Sequence, residues 1–133
     1  MPEPGNRPHI LVVDDEPDMC WALENILSRE GYRITTVKNA REALELAREK
    51  RFEVFFIDAK LPDMDGGQLS GLIREISPKA AIVMISGYFY REDKAIEEGI
   101  AQGLYVGFIS KPFELNEVRS AARKALEGAT GRG

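Results

Sequence analysis

The sequence contains little cysteine and no long hydrophobic run. Cys20 is the one cysteine in 133 residues, which excludes an internal disulfide and the usual cysteine-rich zinc sites. The longest apolar runs, such as residues 80–85, are about six residues long, whereas a membrane-spanning helix needs roughly 20. Residues 1–5 show no apolar core of a signal peptide. These absences favour a cytoplasmic protein with no membrane partner.

The chain also lacks an excess of basic charge. Its 18 lysine and arginine residues face 22 aspartate and glutamate residues, which gives a net charge of −4 at pH 7. Direct nucleic-acid binding favours a basic face, so we expect none from this domain. With 44% hydrophobic and 30% charged residues, the composition is that of one soluble globular domain.

Strand-like apolar runs alternate with amphipathic helical patterns along the chain. The predicted strands cover residues 9–13, 33–37, 54–57, 80–85 and 104–109. A helical repeat follows each of them except the fourth, after which residues 88–103 form the least regular segment, with Ile96 and Ile100 suggesting a helix. Such alternation predicts an α/β fold, a doubly wound five-stranded parallel sheet in the order 2-1-3-4-5. The predicted domain spans residues 9–127, after a loose segment (1–8) and before a flexible tail or linker (128–133). Asn39 with Glu42 predicts a helix cap, and Asp63 and Asp65 are interpreted as turn and cap residues.

Polar side chains follow four of the predicted strands. Asp14 and Asp15 follow the first strand, Asp58 the third, Ser86 the fourth and Lys111 the fifth. Because the carboxyl ends of parallel strands meet at one edge of a sheet, these groups are expected to converge. Clustered carboxylates raise one another's pKa, and a hard divalent cation such as Mg²⁺ relieves their repulsion. The set predicts a site for phosphoryl transfer.

Four short motifs carry these residues. They are Val13-Asp14-Asp15-Glu16, Ile57-Asp58 with Leu61-Pro62-Asp63-Met64-Asp65-Gly66, Met84-Ile85-Ser86-Gly87, and Ile109-Ser110-Lys111-Pro112-Phe113. In this order, each at the end of a predicted strand, they resemble a response-regulator receiver domain, the CheY-like family of two-component signalling. The resemblance covers roughly residues 9–127.

The resemblance implies a role for each site residue. Asp58 would be the phosphoacceptor, taking a phosphoryl group from a sensor histidine kinase or a phosphotransfer protein. The implied ligands of Mg²⁺, with Mn²⁺ as the alternative, are Asp14, Asp15, Asp58 and the main-chain carbonyl of Lys60. Lys111 would pair with the phosphoryl group and Ser86 would hydrogen-bond one of its oxygens. Such a domain catalyses its own phosphorylation and dephosphorylation and is not an enzyme in the usual sense.

The resemblance also implies a conformational switch. Ser86 and Phe108 would move on phosphorylation and alter the face formed by the fourth helix, fifth strand and fifth helix. That face would then act on a downstream output domain or protein, or form a homodimer. Lys60 and Tyr88 stand where the family tunes the lifetime of the phosphoryl group, and the peptide before Pro112 is expected to be cis. The segment between Ser86 and Lys111 is a few residues longer than usual.

Other interpretations of the same residues remain open. Asp14 and Asp15 could cap a helix, Asp58 and Lys111 could form a structural salt bridge, and Phe108 could pack an edge strand. An Asp-nucleophile phosphatase is a competing function, but Lys60 stands where such enzymes carry a second acid, and no cap domain is present. A degenerate receiver, serving only for docking or dimerisation, would lack the acceptor or the lysine. A nucleotide-binding loop is excluded because no glycine-rich segment follows the first strand.

Overall fold

The computed structural model of the protein describes residues 7–87, 102–103 and 105–130, with the backbone alone for residues 128–130. Within these ranges, helices and strands alternate as the hydrophobic pattern predicts. In chain order they are β1 (His9–Val13), α1 (Pro17–Ser28), β2 (Arg33–Val37), α2 (Ala40–Glu49), β3 (Val54–Asp58), α3 (Gly66–Ile76), β4 (Ala81–Ser86), β5 (Gly107–Ser110) and α4 (Leu115–Thr130).

The strands form one parallel sheet in the order β2-β1-β3-β4-β5, which confirms the predicted fold class. β2 is an edge strand, in keeping with its polar composition. The register pairs Asp58 with Ile85, and Ser86 with Ser110. The carboxyl ends of β3, β4 and β5 therefore lie side by side at one edge of the sheet.

Helices cover both faces of the sheet, which explains why β3 and β4 are apolar at consecutive positions. Phe55 and Ile57 of β3 pack in the core beside α2 and α3. Val54 and Phe56 pack in the opposite core, beside α1 and α4. All five residues of β3 are buried, so the strand holds its last residue, Asp58, in a fixed position.

Side-chain caps fix the starts of α2 and α3. The predicted pair at α2 is confirmed, since Asn39 accepts a hydrogen bond from the Glu42 main chain and donates one to the Glu42 carboxylate, both 2.9 Å long. Asp65 caps α3 by accepting from the main-chain N–H of Gln68 at 2.8 Å. Asp63 instead reaches the start of α2, where it accepts from the N–H groups of residues 40 and 41 at 2.9 and 3.1 Å. The loop after β3 is thus anchored at both helices.

Several predicted boundaries differ from the structure, those of the third and fourth strands by a single residue. The fifth strand begins at Gly107 instead of residue 104, because Gly103 has φ +79° and Tyr105 turns into the core beside α3. The last helix runs to Thr130, past the predicted start of the tail at residue 128. Residues 1–6 of the predicted N-terminal segment, and most of the predicted fourth helix, lie outside the described residues. In the described part of the chain, every helix is too short or too polar to cross a membrane.

Candidate functional site

Three aspartates converge at the carboxyl edge of the sheet. Asp14 follows β1, its N–H donates to the carbonyl of Val37 at 3.1 Å, and its side chain is fully buried. Asp58 ends β3 and is 6% exposed, whereas Asp15 is exposed to solvent. One carboxylate oxygen from each of the three lies within 4.8 Å of the others. The strand ends thus place two buried acids and one exposed acid in a single cluster.

Lys111 brings its ammonium group to the same cluster. Its Nζ lies 3.0 Å from Asp14 Oδ2, 3.1 Å from Asp58 Oδ2 and 3.2 Å from Glu16 Oε2. The lysine follows β5, and its N–H donates to the carbonyl of Ser86 at 2.8 Å, which fixes the start of the side chain. The Lys111–Pro112 peptide is cis, as the resemblance implies. One ammonium group is therefore shared by three carboxylates.

Burial and neighbouring charges shift the pKa values of Asp14 and Lys111. Burial, with a smaller contribution from the charge of Asp58, raises the pKa of Asp14 to about 6 against the opposing effects of the Glu16 N–H and of Lys111. Burial alone would lower the pKa of Lys111, but its contact with Asp14 and the charges of Asp14 and Asp58 raise it overall. Lys111 is consequently a permanent cation near neutral pH. Asp14 loses its proton in a range much closer to neutrality than an ordinary aspartate does.

The acidic cluster fits a divalent metal ion. Asp14 Oδ2 is buried and contacts the ammonium of Lys111 as an ion pair, but it accepts no hydrogen bond of suitable geometry. An unsatisfied, buried carboxylate oxygen beside two further carboxylates suits Mg²⁺, which prefers hard oxygen ligands and retains several waters. Asp15 faces solvent and would leave the ion accessible. Lys60 lies in the adjacent loop, where its N–H donates to Asp58 Oδ1 at 3.0 Å.

The remaining predicted site residues lie around this cluster. Ser86 is fully buried, and its hydroxyl donates to the carbonyl of Gly87 at 3.1 Å. No hydrogen bond of the described residues joins that hydroxyl to Asp58. Phe108 is 42% exposed on β5, opposite Met84 in the strand register. Tyr88 lies outside the described residues.

Two contacts at the site were not predicted from the sequence. Glu16 pairs with Lys111 although 95 residues separate them in the chain. Cys20 lies beneath the site, where its thiol donates to the carbonyl of Asp14 at 3.1 Å and burial raises its pKa to about 11. The position of Glu16, directly after the acid pair, was the available signal. The contact of Cys20 had no signal in the sequence, because residue spacing does not show which carbonyl a buried thiol meets.

The chain is similar to curated bacterial proteins over most of its own length. The chain is 29% identical over 117 residues to sporulation initiation phosphotransferase F of Bacillus subtilis, a match that covers 88% of this chain and 92% of the relative. It is 36% identical over 120 residues to the nitrogen assimilation regulatory protein NtrX of Azorhizobium caulinodans. That match covers 89% of this chain but only 26% of the relative. The chain thus spans nearly all of one relative and about a quarter of the other.

Solved structures agree with the sequence relatives. A CheY-like response regulator receiver domain protein from Methanospirillum hungatei superposes with a TM-score of 0.87 at 25% identity, covering 96% of this chain and all of the other. The response regulator TrrA of Thermotoga maritima, solved in complex with Mg²⁺-BeF, gives a TM-score of 0.76 at 29% identity, with 90% and 99% covered. A family model described as the response regulator receiver domain matches residues 10–123. The chain therefore belongs to the response regulator receiver domain family.

Proposed function

We propose that this domain accepts a phosphoryl group on Asp58 from a phosphohistidine donor, a sensor histidine kinase or a phosphotransfer protein. The observation that carries the proposal is the placement of Asp58 at the end of a rigid buried strand. There it lies in contact with the ammonium of Lys111 and within 4.8 Å of two further acids. A nucleophile, a fixed cation and a cluster of oxygen ligands are the groups that phosphoryl transfer requires.

The transfer is a substitution at phosphorus. A carboxylate oxygen of Asp58 forms a bond to phosphorus while the bond from phosphorus to the donor's imidazole nitrogen breaks, and that nitrogen keeps the electron pair. Asp58 is held ready by the N–H of Lys60 on one oxygen and by Lys111 on the other. Lys111 neutralises the phosphoryl oxygens as their charge approaches the site. The side chains thus supply position and charge.

We propose a site for Mg²⁺, with Mn²⁺ as the alternative. Its ligands would be the carboxylates of Asp14, Asp15 and Asp58 and the main-chain carbonyl of Lys60. When bound, the ion neutralises carboxylate repulsion and the charge of the phosphoryl oxygens. The buried Oδ2 of Asp14, which accepts no hydrogen bond and has only the ion pair with Lys111, supports this assignment, as does the Mg²⁺-BeF complex of the TrrA relative.

We propose that Ser86 and Phe108 transmit phosphorylation to the face that includes β5 and α4. In this numbering α4 (Leu115–Thr130) is the predicted fifth helix, because most of the predicted fourth helix lies outside the described residues. Ser86 is one strand away from Asp58, and its hydroxyl would leave Gly87 to donate to a phosphoryl oxygen. The exposed ring of Phe108 would then turn inward. A cytoplasmic output domain or partner protein would bind the altered face. Separately, we propose that Lys60 and Tyr88 set the lifetime of the phosphoryl group.

Incubation with acetyl phosphate and Mg²⁺, followed by intact-protein mass spectrometry, tests the proposal. We expect the wild-type protein to gain one phosphoryl group and Asp58→Asn to gain none. Asp18→Asn is a matched control, because Asp18 is an exposed acid in the first turn of α1 and should leave phosphorylation unchanged. Equal phosphorylation of wild type and Asp58→Asn would contradict the assignment of Asp58.

A further inference from the structure

Glu16 is a third acid on the ammonium group of Lys111. Its Oε2 lies 3.2 Å from Lys111 Nζ, close to the distances at which the same nitrogen meets Asp14 and Asp58. Unlike those two side chains, the side chain of Glu16 is 54% exposed. The Lys111 side chain is only 16% exposed, and Glu16 is its one solvent-exposed carboxylate partner among the described residues.

The Glu16 side chain has no evident part in forming α1. Glu16 is the N-cap residue of that helix, yet its side chain makes no capping hydrogen bond. The N–H of Glu16 donates to Asp14 Oδ1 at 2.9 Å, so the main chain alone supports the acid pair. Within the part of the chain that the structure describes, Lys111 is the one ion-pair or hydrogen-bond partner of the Glu16 carboxylate.

The ammonium group of Lys111 donates hydrogen bonds to Glu16 and Asp58 and forms an ion pair with Asp14, so all three carboxylates already use it. A phosphoryl group on Asp58 brings further anionic oxygens that need the same nitrogen. Asp14 and Asp58 are buried and fixed by β1 and β3, whereas Glu16 is half-exposed and can turn to water. Glu16 is therefore the carboxylate that Lys111 loses most easily.

We infer that Glu16 is a positioning residue that holds Lys111 in the unphosphorylated state and competes with the phosphoryl group for its ammonium. The inference rests on the proposed function of Asp58 and Lys111. Removing the charge of Glu16 should leave Lys111 free to pair with the phosphoryl group. A half-exposed ion pair corresponds to about a twofold to fivefold change in an equilibrium constant. Glu16→Gln should therefore bind a phosphoryl mimic about twofold to fivefold more tightly.

Beryllofluoride, titrated into the full chain at saturating Mg²⁺, measures this competition at equilibrium. Calorimetry gives the dissociation constant, and ¹⁹F NMR reports the surroundings of the bound fluorine atoms. Asp18→Asn is the matched control, because it removes one exposed acidic charge two residues away. Among the described residues, Lys111 pairs with Asp14, Glu16 and Asp58 but not with Asp18.

The expected result is tighter binding by Glu16→Gln than by Asp18→Asn, together with a shifted ¹⁹F resonance in Glu16→Gln alone. Equal affinities in the two variants, weaker binding by Glu16→Gln, or tighter binding without a shifted resonance would each refute the role of Glu16. A wild-type protein that fails to bind beryllofluoride, or an Asp58→Asn variant that binds it equally well, would instead refute the proposed function. Either of those two outcomes would also refute the inference about Glu16, because that inference rests on the proposed function.

Discussion

Replacing Asp14 with asparagine should stabilise the metal-free protein at neutral pH. Asp14 is fully buried, and its Oδ2 accepts no hydrogen bond of suitable geometry. Asparagine keeps the shape of the side chain, but its single carbonyl oxygen can face either the Glu16 N–H or the ammonium of Lys111, which offsets part of the gain. Lys111 keeps its contacts with Asp58 and Glu16, so the substitution leaves no unpaired cation. What is removed is a buried negative charge.

The pKa of Asp14 gives the size of the effect. It rises from 3.8 to about 6 in the folded protein, and each unit corresponds to 1.36 kcal/mol, so ionised Asp14 destabilises the fold by up to about 3 kcal/mol. Because the folded protein binds the proton more tightly than the unfolded chain, stability falls as pH rises from about 4 to about 6. Below that window Asp14 is protonated in both states, and the penalty disappears.

Urea unfolding at pH 7 and near pH 3.5, both with a chelator, tests this reasoning. Asp14→Asn should raise the free energy of unfolding at pH 7 by up to about 3 kcal/mol, and the difference from wild type should become small at the lower pH. Asp15→Asn is the matched control, since Asp15 is exposed and its replacement should change stability by less than about 0.5 kcal/mol. An Asp14→Asn protein that is no more stable than wild type at pH 7 would refute the claim that burial of this charge is unfavourable.

Three further predictions follow from the loops and the metal site. Gly66→Ala should destabilise the protein by roughly 1 to 3 kcal/mol, because a Cβ there would overlap the carbonyl oxygen of Asp58. Gly71→Ala has open space around it and should stabilise α3 by up to about 1 kcal/mol. Thermal unfolding of both variants checks these two expectations. Asp63→Ala should lower the free energy of unfolding in urea by about 1 kcal/mol through loss of the bonds to the start of α2, and an unchanged value would show that this cap is dispensable. The affinity for Mg²⁺, measured by NMR titration, should fall up to about tenfold per pH unit below pH 6, because a proton on Asp14 competes with the metal; a flat profile would exclude Asp14 as a ligand.

The fold was predictable because its signals are local. The apolar run of β3 and the cap formed by Asn39 and Glu42 depend on neighbouring residues, and the structure confirms both. The order of the strands followed from their alternation with helices. The start of β5 was placed too early, because residues 104–106 are apolar whether they pair in a sheet or, like Tyr105, turn into the core.

The contacts of the candidate site were only partly predictable. Strand ends in a parallel sheet must share an edge, so the meeting of Asp14, Asp58 and Lys111 could be expected from order alone. The ion pair between Glu16 and Lys111 could not be predicted, because it depends on the side-chain rotamers and on the path of α1, which sequence spacing does not specify. Asp63 was interpreted as a turn or cap residue, but the helix that it caps is the preceding one in the chain.

The central claim is that Asp58 itself carries the phosphoryl group. Borohydride reduces an acyl phosphate to an alcohol, so treatment of the protein after incubation with acetyl phosphate and Mg²⁺ marks the modified carboxylate for peptide mass spectrometry. Our account predicts reduction at Asp58 alone, with none when acetyl phosphate or Mg²⁺ is omitted. Reduction at Asp14 or Asp15, or at no carboxylate under conditions that reduce a known acyl phosphate, would contradict it.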